Sequence, residues 1–74
     1  DEERELREVL RKHHRVVREW TKVVEELKRV VELLKRGETS EEDLLRVLKK
    51  LLEMDKRILE VNREVLRVLE KRLT

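Results

Sequence analysis

Apolar residues return along this chain every three or four positions, in two long runs separated by a short polar gap. In the first run Leu6, Leu10, His13, Val17, Trp20, Val24, Leu27, Val31 and Leu34 follow at alternating steps of four and three, and Val9, Val16, Val23 and Val30 form a parallel column beside them. This spacing predicts an amphipathic helix over residues 2–36 whose apolar stripe is wide enough to touch more than one neighbour. In the second run four columns repeat every seven residues: Leu44, Leu51, Ile58, Val65; Leu45, Leu52, Leu59, Leu66, Leu73; Val47, Met54, Val61, Val68; and Leu48, Asp55, Asn62, Leu69. They predict a helix over 41–73. At about 100° per residue its columns span something like 150° of surface, more than one facing helix can cover. Strict seven-residue repeats also predict left-handed, coiled-coil-like packing.

The gap between the runs holds the turn chemistry. Lys35 and Arg36 place cations at a helix C-terminus, and Gly37, the only glycine, can turn left-handed just beyond it. Ser40 with Asp43 three residues on reads as a capping box for the second helix, and Thr39 with Glu42 reads equally well one residue earlier. Asp1 suits the N-cap of the first helix, with Glu2, Glu3 and Glu5 in its first turn. The chain is therefore expected to be one all-α domain, an antiparallel hairpin with a turn at 37–40.

The fourth column of the second helix breaks the apolar rule at its centre, where Asp55 and Asn62 stand between leucines. In a hairpin pivoting near residue 38, residues at equal height have numbers summing to about 76 to 78. His14 with Asn62 and Thr21 with Asp55 each sum to 76, and His13 and Trp20 fall into the same two layers. Each arm thus places polar groups at matching heights. A buried polar group left without a hydrogen bond costs about 1–3 kcal/mol, so such layers belong in an aliphatic core only where their bonds are made. Within one hairpin Asp55 has the Thr21 hydroxyl and the Trp20 indole as donors, thin solvation for a buried carboxylate. The remaining donors are expected from another chain. A histidine buried there as a neutral ring also predicts that assembly weakens below a pH of about 6.5, where protonation adds a charge and removes an acceptor.

Charge supplies exclusions. Lys plus Arg (20) nearly balances Asp plus Glu (18), and both signs are interspersed along each arm. Glu8/Lys12, Arg15/Glu19, Lys22/Glu26, Glu25/Arg29 and Glu32/Arg36 stand four apart, a spacing at which each pair adds about 0.2–0.5 kcal/mol. One Trp is the whole aromatic content, which disfavours base stacking and, with the interleaved acids, a nucleic-acid partner. No apolar run exceeds two residues, so no transmembrane helix or signal-peptide core is expected. Adjacent His13 and His14 point about 100° apart and cannot chelate one ion as histidines four apart do. No nucleophile is paired with a base, so no enzyme, cofactor, metal or small-molecule site is expected. There is no cysteine to staple a core this small, and oligomerisation is the remaining device.

Glu, Arg, Lys, Leu and Val make up 60 of the 74 residues, while Ala, Gln, Pro, Phe, Tyr and Cys are absent. An all-helical chain without alanine, the best helix former, points to a selection rule other than natural drift. This palette, the Arg36-to-Asp43 turn, the paired heptad arms and the two polar layers resemble de novo designed helical hairpins. More narrowly, the whole chain resembles designed heterodimers in which two different hairpins form a four-helix bundle held in register by buried hydrogen-bond networks. The resemblance implies pairing specificity carried at His13, His14, Trp20, Thr21, Asp55 and Asn62. It further implies a second designed hairpin as partner, and a synthetic soluble chain with no native compartment. Related designed hairpins associate with copies of themselves, so a homo-oligomeric dimer or trimer is the alternative.

Overall fold

The computed structural model describes residues 1–74 and contains two helices, α1 (Glu2–Lys35) and α2 (Glu41–Leu73), packed antiparallel in a hairpin 54 × 14 × 13 Å. Both ends of α1 are specified locally. The Asp1 carboxylate accepts the Arg4 amide at 2.7 Å, and Arg36 ends the helix as its C-cap, one residue inside the expected boundary. Gly37 then adopts φ +72°. Its amide bonds to the Leu34 carbonyl at 3.0 Å and that of Glu38 to the Leu33 carbonyl at 2.8 Å, the paired bonds of a Schellman ending.

Of the two N-cap readings the chain adopts the later one. Ser40 is extended and its hydroxyl accepts the Asp43 amide. Asp43 does not complete a box by reaching back to the Ser40 amide; its carboxylate takes the Thr39 hydroxyl and the Arg46 guanidinium. An alanine Cβ at Gly37 would meet nothing within 4 Å, so Gly37→Ala isolates the cost of the left-handed backbone. That cost is about 1 kcal/mol or more, a fall in melting temperature of roughly 4–8 °C per kcal/mol, readable by thermal circular dichroism.

The seam between the helices is built from the two valine-rich columns. Val9, Val16, Val23 and Val30 of α1 and Val47, Met54, Val61 and Val68 of α2 are the eight buried residues of the chain. Facing pairs such as Val16 with Val61 and Val30 with Val47 keep a constant sum of 77, which is the register of the hairpin. Short β-branched side chains let the helices approach closely, and the leucines are left for other surfaces.

One flank of this seam is closed by charge. Glu5 pairs with Lys71 (3.3 Å), Lys12 with Glu64 (3.0 Å), Glu19 with Arg57 (2.7 Å) and Glu26 with Lys50 (2.8 Å). These numbers sum to 76, one heptad apart on each helix. None of the five within-helix pairs expected at a spacing of four forms; Lys12, Glu19 and Glu26 reach across to α2 instead. Exposed pairs of this kind contribute about 0–1 kcal/mol each, so their main effect is on register. A slip of one heptad in either direction sets like charges opposite one another: Glu5 against Glu64 and Lys12 against Arg57, or Lys12 against Lys71 and Glu19 against Glu64.

One carboxylate of the zipper and one at the start of α2 shape the response to acid. The Lys50 hydrogen bond, helped by the nearby charges of Lys50, Arg46 and Arg29, holds the Glu26 carboxyl below its usual range. The Thr39 hydroxyl, then Arg46, does the same for Asp43. A carboxyl depressed in the folded state stabilises the fold above its unfolded pKa, and that contribution is lost as pH falls through the folded value. The urea midpoint of the hairpin should therefore be flat from pH 7 to about 5.5 and drop below about pH 4.5. Glu26→Gln should remove part of the drop; a midpoint unchanged down to pH 3 would mean these contacts add nothing to the fold.

Candidate association interface

The other flank of the seam is open. Going round α2 from the buried Val47 column, the Leu44 column comes at about 60°, the Leu48 column at about 100° and the Leu45 column at about 160°. Exposure rises in step. Leu44, Leu51, Ile58 and Val65 are half-buried, Leu48 is 44% exposed, and Leu45, Leu52, Leu59 and Leu66 are 50–55% exposed. α1 thus covers only one edge of the apolar arc of α2. On α1 the Val9 column is followed by Leu6, His13, Trp20 and Leu27 and then by Val17, Val24 and Val31, all half-buried, with Leu10 the exposed member of the outer column. The result is one long apolar face shared by both helices.

Its floor, where the helices meet, is a ladder of facing pairs whose numbers sum to 75: Leu6 with Leu69, His13 with Asn62, Trp20 with Asp55, and Leu27 with Leu48. The two middle rungs are hydrogen bonds. The Trp20 indole N–H donates to Asp55 Oδ1 at 2.8 Å, and His13 Nε2 lies 2.9 Å from Asn62 Oδ1. An amide oxygen has no hydrogen to give, so the ring donates through Nε2–H and leaves Nδ1 as an acceptor. That bond survives protonation of the ring; an acceptor role at Nδ1 does not. Asp55 has spent one of its oxygens, and Asn62 keeps its whole NH₂ group. Beside Asp55 the face dips into a shallow groove lined by Val17, Trp20, Asp55 and Ile58.

The two remaining polar residues lie elsewhere. Thr21 donates to the Val17 carbonyl at 2.8 Å, a bond back along its own helix, and does not reach Asp55. His14 is exposed on the side of α1 that carries Arg7, Leu10, Arg11 and Arg15. Each stands about 100° further round the helix than its neighbour Trp20 or His13, at the border of the face. No group of three or more His, Cys, Asp or Glu is close enough to hold an ion, and no helix is long and apolar enough to cross a membrane.

No known family model, curated protein or solved structure matches this chain. The face itself carries the chemistry: two long helices, an uncovered leucine surface, and two polar rungs in its floor with hydrogen-bonding capacity to spare.

Proposed function

We propose that this chain is a de novo designed association module, one half of a specific heterodimer in which a second, different helical hairpin covers the open face and completes a four-helix bundle. The observation that carries the reading is the half-exposed leucine face with Trp20–Asp55 and His13–Asn62 set in its floor. The accessible surface of 6034 Å² exceeds by roughly 1,100 Å² what a compact monomer of this mass exposes. One partner in a standard interface loses about 800 Å², so this surplus is of the size an interface requires.

Inside such a bundle the polar rungs select the partner. A chain or register that fails to meet their remaining bonds leaves buried groups unpaired at about 1–3 kcal/mol each. His14 and Thr21 border the face and meet the partner at its edge. Two of the two-fold arrangements open to a second copy are unfavourable at Asp55. A two-fold axis along the bundle, or one crossing it at this level, brings two Asp55 carboxylates into one layer and adds only an indole that is already engaged. The crossing axis also sets His13 and Asn62 against Leu27 and Leu48. The reading assigns the chain no catalysis, cofactor, metal, nucleic acid or small molecule.

The solution mass of the chain alone at micromolar concentration, by light scattering behind size exclusion with circular dichroism on the same sample, tests it. A helical but weakly associating, polydisperse species is expected. A single sharp dimer or trimer of high helicity that persists on dilution would replace the heterodimer with self-association.

A further inference from the structure

We propose, on the reading that this face binds a second hairpin, that the partner has acidic rims, offers only hydrogen-bond donors at the level of Asp55 and an acceptor at the level of Asn62, and docks with one polarity. The rims supply the first part. The columns bordering the leucine face carry Arg7, Lys28 and Lys35 on α1 and Lys49, Lys56 and Arg63 on α2, against acids only at the two ends of the α2 rim, Glu42 and Glu70. Lys28, Lys35 and Lys56 each touch an acid one turn back on their own helix, Glu25, Glu32 and Glu53, in exposed pairs at 3.4–3.6 Å, but these acids lie outside the rim columns. Glu5, Glu19, Glu26 and Glu64 lie in the ionic flank on the far side of the seam, so the rims that a partner meets remain predominantly cationic. A second copy brings cations to cations, with Lys28 level with Lys49 when two hairpins point the same way. Glutamates at the corresponding partner positions relieve this.

The floor supplies the second part. Asp55 accepts the Trp20 indole on one oxygen and, as a carboxylate, can only accept further bonds. A partner carboxylate at that level would set two like charges in one layer without adding a donor. One heptad away, about 10.5 Å along the axis, the Asn62 NH₂ group donates and His13 Nδ1 accepts. That level needs an acceptor with a donor beside it. The two levels also fix direction. They are the second and third rungs of the floor counted from the open end, so turning a partner end for end about the Asp55 level moves its second polar group from Asn62 to the Leu27 and Leu48 rung. Chemistry that distinguishes the levels therefore distinguishes the two orientations.

Synthetic hairpins of equal length and identical leucine faces test this, with dissociation constants read by calorimetry against the full chain. The matched probe has glutamates opposite the cationic rims, arginine, which only donates, at the Asp55 level, and glutamine at the Asn62 level. Three others keep these rims: one places aspartates at the Asp55 level, one moves the glutamine to the Leu6 and Leu69 rung, where neither orientation brings it to Asn62 while Asp55 is met, and one has leucine at both polar levels. A fifth carries the matched levels with lysine rims. The matched probe should bind tightest, and each of the other four about tenfold or more weaker; the lysine-rim deficit should shrink in high salt. Asp55→Leu with Asn62→Leu should transfer the preference to the all-leucine probe, with circular dichroism confirming that the hairpin is retained. Equal binding of the matched and all-leucine probes, or no transfer of preference, overturns the proposal and leaves the face as a docking site. Failure of every probe, the all-leucine one included, overturns the association reading itself.

Discussion

Val61→Asp is expected to abolish the hairpin. Val61 is 2% exposed and packs in the same buried cluster as Val16, Val47 and Met54. A carboxylate there has no donor within the seam, and an unpaired charge in a low-dielectric site costs several kcal/mol. The chain has little to set against that, because the whole core is eight side chains, seven valines and one methionine, and a domain of this length has only a few kcal/mol in hand. The circular dichroism spectrum at micromolar concentration should lose most of its helical signal, and partner binding should disappear with it. Val61→Ala, which removes two methyl groups without adding charge, should lower the urea midpoint and keep the helices. A Val61→Asp chain as helical as the parent would mean that the seam lies along another pair of columns.

Leu52→Glu combined with Leu59→Glu should do the reverse, sparing the hairpin and eliminating association. Both leucines are at least half exposed, at 55% and 50%, so the substitutions remove little packing within the chain, and glutamate is itself a good helix former. In an assembly these positions lie beneath a second pair of helices. Each replacement then forfeits about half of the roughly 1.5–3 kcal/mol that full burial of a leucine supplies, and places a charge in its stead. Together they should weaken pairing by about a hundredfold or more. Light scattering should report a monomer with unchanged or improved helicity, and dye binding to exposed apolar surface should fall. Association that survives both changes would put the interface on another surface of α2.

Much of this architecture is legible in the residues. The heptad columns give both helices, Gly37 and Ser40 give their junction, and the height rule finds the two levels at which polar groups meet. The rule fails at the choice between neighbours. His13 and His14, or Trp20 and Thr21, differ in height by about 1.5 Å but point about 100° apart, so a sum near 76 admits either member. Which one turns toward α2 depends on the column that forms the seam. The all-valine column is the signal, since the residues beside it on the open side are His13 and Trp20. Thr21 instead satisfies its hydroxyl on its own helix, a bond open to any threonine four residues from a carbonyl.

The ionic flank was equally present as a column, Glu5, Lys12, Glu19 and Glu26 opposite Lys71, Glu64, Arg57 and Lys50. It was masked because the same acids and bases also stand four residues from opposite charges on α1. Position beside the seam decides between the two sets. The bases Arg15 and Lys22 lie further round α1, while Arg57 and Lys50 project from α2 across a short gap.

The Schellman ending at Gly37 has a consequence for the kinetics of encounter. Three further residues, Glu38 to Ser40, complete the junction, and the capping bonds fix both helices at their point of departure. The two halves of the leucine face are therefore held at a high effective concentration and do not have to find one another during docking. In the proposed heterodimer a partner would collide with one preorganised surface, so assembly would carry a single bimolecular entropy loss where separate helices would carry three. The rate should scale with the product of two concentrations, and the interface residues can be spent on choosing the partner.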